Sequence, residues 1–274
     1  MTKEIGRVSA AWLGLREPAD AEARATEFLE PVRRHLAGTA LTVVHDLGTG
    51  TGSMGRWLAP QLPGPQHWVM YDRDAGLLEH AKAEMTGTAA DGAPVTVETR
   101  QRDITRLTAD DLAGACLVTA SALLDMLTAE EVDQIVAVCA AAGCPALLTI
   151  SVIGRVTLTP PDPLDAEITE AFNAHQRRTV GGRKLLGPDA VDVTVEAFGR
   201  RGVDVLVRPS RWRLGADRAD LTAEWFDGWL GAAYEQRPEL TGRATAYGHR
   251  RLADAAAGRL GVVVQHNDLL ANCE

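Results

Sequence analysis

Short apolar runs alternate with amphipathic stretches between Leu41 and Val152. The runs are Leu41–Leu47, His67–Tyr71, Val95–Arg100, Leu117–Ala120 and Ala146–Val152. Each has the length of a strand and is bounded by turn residues or charge. Between them, apolar residues recur at helical spacing over Ser53–Leu62, Ala75–Met85 and Thr128–Ala142. Pro63-Gly64-Pro65 ends the first of these helices and Gly143 the last. Thr128 is placed to cap the last helix, ahead of Glu130 and Glu131. Strands alternating with helices at this spacing predict right-handed crossovers and a doubly wound, mostly parallel α/β sheet.

The flanks read differently. Arg7–Leu15 and Ala19–Leu36 are predicted helices; Phe28, Leu29, Val32 and Leu36 form the apolar stripe of the second. Such a leading segment suits a cleft cover, a scaffold or the face of a homodimer. After Val152 the pattern loosens. Gly154–Pro163 is rich in turn residues, Leu164–Arg178 is helical, and Gly181–Gly187 is a basic, glycine-rich loop. Pro188–Arg201 reads as a helix with Pro near its first turn. A sixth strand is predicted at Val203–Val207, with Trp212 and Leu214 as an extension. Helices at Thr222–Arg237 and Thr241–Arg259 precede a last strand at Leu260–Gln265. The expected organisation is one domain in three parts: helical segment 1–38, ligand-binding core 39–152, and cap with final strands 153–274.

The 274-residue chain carries a formal charge of −9, which argues against general nucleic-acid binding. Cys116, Cys139 and Cys144 sit among apolar residues and read as buried thiols, and Cys273 stands near the end. No His/Cys cluster has ligand spacing, so no metal is expected. Met1–Ala10 is polar and no apolar run is long enough to span a membrane, which points to a cytoplasmic location.

The chemistry centres on the end of the first strand. Asp46-Leu-Gly48-Thr49-Gly50-Thr-Gly52 leads straight into a helix, a design that brings backbone N–H groups close to a ligand. Gly50–Gly55 is a literal G-x-G-x-x-G with Asp72 downstream, so a nicotinamide dinucleotide is one reading. In that fold, however, the first glycine follows the strand directly, and counting from Gly48 places Ser53 where the third glycine belongs. The acid-x-Gly-x-Gly-x-Gly run resembles motif I of class I S-adenosylmethionine (SAM)-dependent methyltransferases. The likeness covers roughly Thr39–Val152, includes uncharacterised bacterial members, and implies a seven-stranded sheet with SAM as cofactor. By the resemblance, Asp46 serves the ammonium of SAM, and the loop Gly48, Thr49, Gly50 and Gly52 lies under its amino-acid end. Asp72, with Arg73, serves the ribose hydroxyls. Asp103 and Ile104 serve the adenine, and Thr119 and Ser121 border the methyl-donor face. One departure is visible, because about two helices separate the last two strands where the family uses a short hairpin.

The acceptor side is less marked. His175 stands beside Arg177, Arg178, Arg183 and Lys184, an imidazole among cations: it is a candidate base, and the four cations read either as a clamp for a substrate carboxylate or phosphate or as an ordinary charged face. Asp125 is a second candidate base. Trp212 and His266 are candidate substrate contacts, and His266 with Asp268, at the end of the last strand, forms a second pair behind His175; Trp225 and Trp229, four residues apart, suit a packing face. The expected activity is methyl transfer to oxygen or nitrogen of a small, polar, anionic metabolite. The alternatives are an NAD(P)-dependent oxidoreductase, a non-catalytic SAM-binding protein, and an RNA methyltransferase resting on Arg200, Arg201, Arg208, Arg211 and Arg213.

Overall fold

A computed structural model describes residues 8–272; Arg7 and Cys273 lie outside the described residues. The first four apolar runs become β1 (Thr42–Leu47), β2 (Gln66–Asp72), β3 (Val95–Gln101) and β4 (Leu117–Ser121). The fifth becomes β5 (Ala146–Thr159), and the chain closes with β8 (Val205–Leu214) and β9 (Gly261–Ala271). These seven strands form one sheet in the order β3-β2-β1-β4-β5-β9-β8. The pairs among β1 to β5 are parallel, and β9 is antiparallel to both β5 and β8. A separate hairpin joins β6 (Thr179–Val180) to β7 (Arg183–Lys184).

The crossover helices are α3 (Ser53–Leu58), α4 (Ala75–Glu84) and α5 (Ala129–Ala142). Thr128 caps α5 through a reciprocal box with Glu131, and Gly143 ends it in the left-handed conformation. Before β1 stand α1 (Ala10–Ala23) and α2 (Leu29–Leu36); after β5 come α6 (Asp165–Gln176), α7 (Ala190–Gly199), α8 (Ala219–Gln236) and α9 (Leu240–Ala256). The leading helices therefore break at Arg24–Ala25, not at residues 16–18 as the pattern suggested. Helix α1 runs through Pro18 with its second half held by a local Arg16–Asp20 pair, one turn apart, and by one tertiary contact, Trp212 donating to Asp20.

The largest correction concerns strand length. The turn-rich reading of Gly154–Pro163 and the last-strand limit at Gln265 are both wrong. Strand β5 continues through Gly154 to Thr159, and β9 runs to Ala271. Gly154 is tolerated because irregular register between Val152 and Val156 absorbs it, as bulges do. The lengthened β5, β8 and β9 carry their own core. Leu158, Trp212, Leu214, Val262 and Val264 pack there against α8 and α9, with Phe226, Trp229 and Tyr247 at the centre. Trp225 and Trp229 stack at 5.4 Å within it, so that pair packs the cap. Helices α5 and α7 cover one face of the parallel half, and α2, α3 and α4 the other.

Candidate active site

The strand ends of the parallel half meet at the glycine loop, where open α/β sheets take their ligands. Asp46 lies near the end of β1, 1% exposed. Its carboxylate accepts from the Thr49 hydroxyl at 2.5 Å and the Thr119 hydroxyl at 2.6 Å. Burial pushes this carboxyl up to about 6, against the pull of those two hydrogen bonds. Asp46 and Thr119 thus brace the loop from beneath, which corrects the expectation that Thr119 borders the donor directly. Gly50 has φ +55°, and a Cβ there would stand 3.0 Å from the Leu13 side chain of α1. Only glycine meets both conditions without strain. Gly48 and Gly52 are also left-handed, so the loop turns its backbone tightly before α3.

Asp72 stands at the end of β2, half-buried. One of its oxygens accepts from the Gly50 amide at 2.9 Å, and the other from the Asp74 amide at 2.9 Å. It therefore ties the second strand to the loop, and each oxygen keeps a further lone pair. Arg73 is exposed. Asp103 accepts from the Thr105 amide and hydroxyl at 3.1 and 2.8 Å, capping the short turn that buries Ile104. Ser121, at the end of β4, shares a 3.1 Å hydrogen bond with Thr149.

Sequence reasoning missed Arg24, because no motif marks it, and offered Asp268 only as the partner of His266 in a secondary pair. Arg24, between α1 and α2, is 2% exposed; its Nη2 donates to Ser121 at 3.1 Å and its guanidinium lies 5.1 Å from the Trp57 ring centre. Asp268 of β9 is fully buried and accepts from the Ala25 amide (2.8 Å), the Ile150 amide (2.7 Å) and the Ser210 hydroxyl (2.5 Å). Ile150 has φ +56°, a strained value for a β-branched residue, where the parallel pairing of β5 ends. Asp268 holds that kink. Helix α1 also reaches the loop through Glu17, which pairs with Arg56 of α3 at 2.5 Å.

The acceptor-side candidates divide. Asp125 follows β4 and is half-buried; burial pushes its carboxyl up to about 6, against its own backbone amide and the charges of Arg16 and Arg178. Among the described residues, no other residue donates a hydrogen bond to it. His175 is already committed. It bonds Glu235 of α8 at 3.0 Å and lies 3.2 Å from an Arg178 nitrogen, and burial with the nearby Arg178 charge lowers its pKa. The basic stretch is not a free clamp. Arg177 pairs with Asp189 at 2.5 Å and Arg183 with Glu131 at 2.6 Å, whereas Lys184 is exposed. Arg200 and Arg201 both pair with Asp133, which removes two of the five arginines behind an RNA groove. Trp212 is 3% exposed and donates to Asp20 at 2.9 Å, so it anchors α1 rather than opening a pocket. His266 lies within β9, not at its end; burial pulls its pKa down to about 4, and among the described residues its Nδ1 has no hydrogen-bond partner.

The residues present fit a SAM-type ligand on two structural observations. The glycine loop is tight enough that a Cβ at Gly48 would meet Leu123 at 3.1 Å, and a buried cation with unpartnered nitrogens stands beside it. Strand β9, inserted antiparallel between β5 and β8, departs from the all-parallel 3-2-1-4-5-6 dinucleotide order. The oxidoreductase reading fails on that topology. Among the described residues, no group of His, Cys, Asp or Glu is arranged to hold a metal, and no helix is long and apolar enough to cross a membrane.

Fold and loop together define a class I methyltransferase architecture. A sequence profile described as a methyltransferase domain matches residues 44–145, so this segment is a methyltransferase domain and SAM is its methyl donor. A solved putative methyltransferase from Bacillus halodurans is 16% identical, covering 89% of this chain and 98% of its own, with a TM-score of 0.51. A cyclopropane synthase from Mycobacterium tuberculosis is 13% identical, covering 96% and 94%, also at 0.51. A SAM-dependent methyltransferase from Thiobacillus denitrificans, solved with S-adenosyl-L-homocysteine, is 14% identical over 96% and 98%, at 0.45. No curated protein sequence matches the chain.

Proposed function

We propose that this protein methylates oxygen or nitrogen of a small, polar, anionic metabolite, with Asp125 as the general base. When bound, SAM supplies an electrophilic methyl group on its sulfonium. The chain's own residues orient and deprotonate. Asp72 is assigned the ribose hydroxyls and Asp103 the adenine amine, each through the acceptor capacity its carboxylate retains. The single observation carrying the assignment of the base is the half-buried Asp125 carboxyl, raised to about 6 and, among the described residues, given a hydrogen bond by no other residue. A base poised near the working pH removes the acceptor proton as the new bond forms. Arg16 and Arg178 lie within electrostatic reach of it, which favours an acceptor carrying negative charge. His175 has its employment between α6 and α8 and is not needed as the base.

The test uses SAM with a labelled methyl group and a metabolite extract split into anionic and cationic fractions. Label should pass to the anionic fraction. With the acceptor identified, the rate should rise with pH through about 6 and then level. Asp125→Asn should abolish that rise and lower kcat by roughly 10²–10⁴-fold. Transfer only to cationic acceptors, or an unaltered pH profile in the variant, refutes the reading.

A further inference from the structure

Arg24 is a buried charge without an adequate counterpart. Among the described residues only its Nη2 is bonded, to Ser121; Nε and Nη1 are shielded from water and have no hydrogen-bond partner there. An arginine carries five donors, and burying its charge without a bonded anion costs several kcal/mol. Three carboxylates stand within electrostatic reach: Asp20, Asp268 and Asp46. Each is spent elsewhere. Asp20 is held by Arg16 and Trp212, Asp268 by three donors, and Asp46 by two threonine hydroxyls. Burial accordingly pulls the Arg24 pKa down, only partly offset by those acids.

The place of the guanidinium narrows what completes it. Ser121 is the last residue of β4, one step beyond the Ala120 that pairs with Leu47, and so is level with Gly48. Trp57, beneath the guanidinium, is on the helix that the glycine loop begins. The guanidinium therefore stands between the end of β4 and α3, beside the glycine loop. A flat, two-donor group in that position suits a carboxylate, which accepts two parallel N–H bonds. The methyl donor brings one carboxylate, on its amino-acid end. We infer that Arg24 receives the α-carboxylate of SAM and that the protein distinguishes SAM from its decarboxylated form through this residue. The inference rests on SAM being the donor.

Calorimetric titration of the full chain with SAM and with decarboxylated SAM tests it, because the two ligands differ only in the carboxylate. The unaltered protein should bind SAM about 10- to 100-fold more tightly, the range of one charged hydrogen-bonded pair. Arg24→Met should bind both alike, at the weaker level, and Arg24→Lys should recover part of the preference. An unaltered preference in Arg24→Met overturns the inference, as does equal weakening toward both ligands, which would mark a purely structural arginine. Should Arg24→Met not fold, hydrogen exchange on the unaltered protein decides. SAM should slow exchange over residues 20–28 and decarboxylated SAM should not; equal protection overturns the assignment. Failure of the unaltered protein to bind either ligand would refute the donor reading itself.

Discussion

Asp268→Asn removes one charge and almost no volume, and its cost follows from the donors on each oxygen. Oδ1 accepts from the Ile150 amide and the Ser210 hydroxyl, and Oδ2 from the Ala25 amide. An asparagine with its carbonyl at the Oδ1 position keeps the first two bonds. Its NH2 then faces the Ala25 N–H, donor against donor, at a fully buried site. Losing one charge-assisted bond costs about 1.5–3 kcal/mol, and leaving a buried donor unsatisfied costs about 1–3 kcal/mol more. The charge facing Arg24 is lost as well, so the total should be about 3–5 kcal/mol, the range for breaking a buried ion pair. Ser210→Ala is the control; it removes one hydroxyl donor and should cost only about 1 kcal/mol. Equilibrium urea unfolding of both variants measures the difference. An Asp268→Asn effect below about 1 kcal/mol would refute this account of how the β5 kink and the α1–α2 link are held.

Two further outcomes are expected. His266 has its folded pKa lowered to about 4, so the unfolded chain takes the proton first and acid favours unfolding. Relative to His266→Gln, the wild type should lose on the order of 3 kcal/mol as pH falls from 6.5 to 4. Parallel stability curves over that window would contradict the burial of a neutral imidazole. Asp72→Ala should weaken SAM by roughly 1–3 kcal/mol, because a charged acceptor is lost and the Gly50 amide loses its tie. Unchanged calorimetric affinity would remove Asp72 from the donor site.

The parallel half was legible because its signals are local. A buried parallel strand is a short apolar run, a crossover helix has a 3.6-residue stripe, and a glycine loop is a string of residues free to take positive φ. Five strands, their helices, Asp46, Asp72 and Asp103 all follow from such signals. The residues after Val152 resist the same treatment. In β5, β8 and β9 the strands pair antiparallel over long spans, and a glycine or a polar residue inside one reads as a turn until its partner strand is known. His175 illustrates the same limit: an imidazole among cations looks available, and only packing shows that Glu235 on another helix has claimed it.

By itself the sequence determined the fold class, the loop and the acids at the strand ends, because backbone sterics and hydrophobic periodicity act between near neighbours. Tertiary structure alone decided which charges are spent and which remain free. Arg24 and Ser121 are 97 residues apart, and Asp268 binds groups 58, 118 and 243 residues away. Burial and pairing across such distances leave no periodic trace in the chain, yet they set the electrostatics of the site.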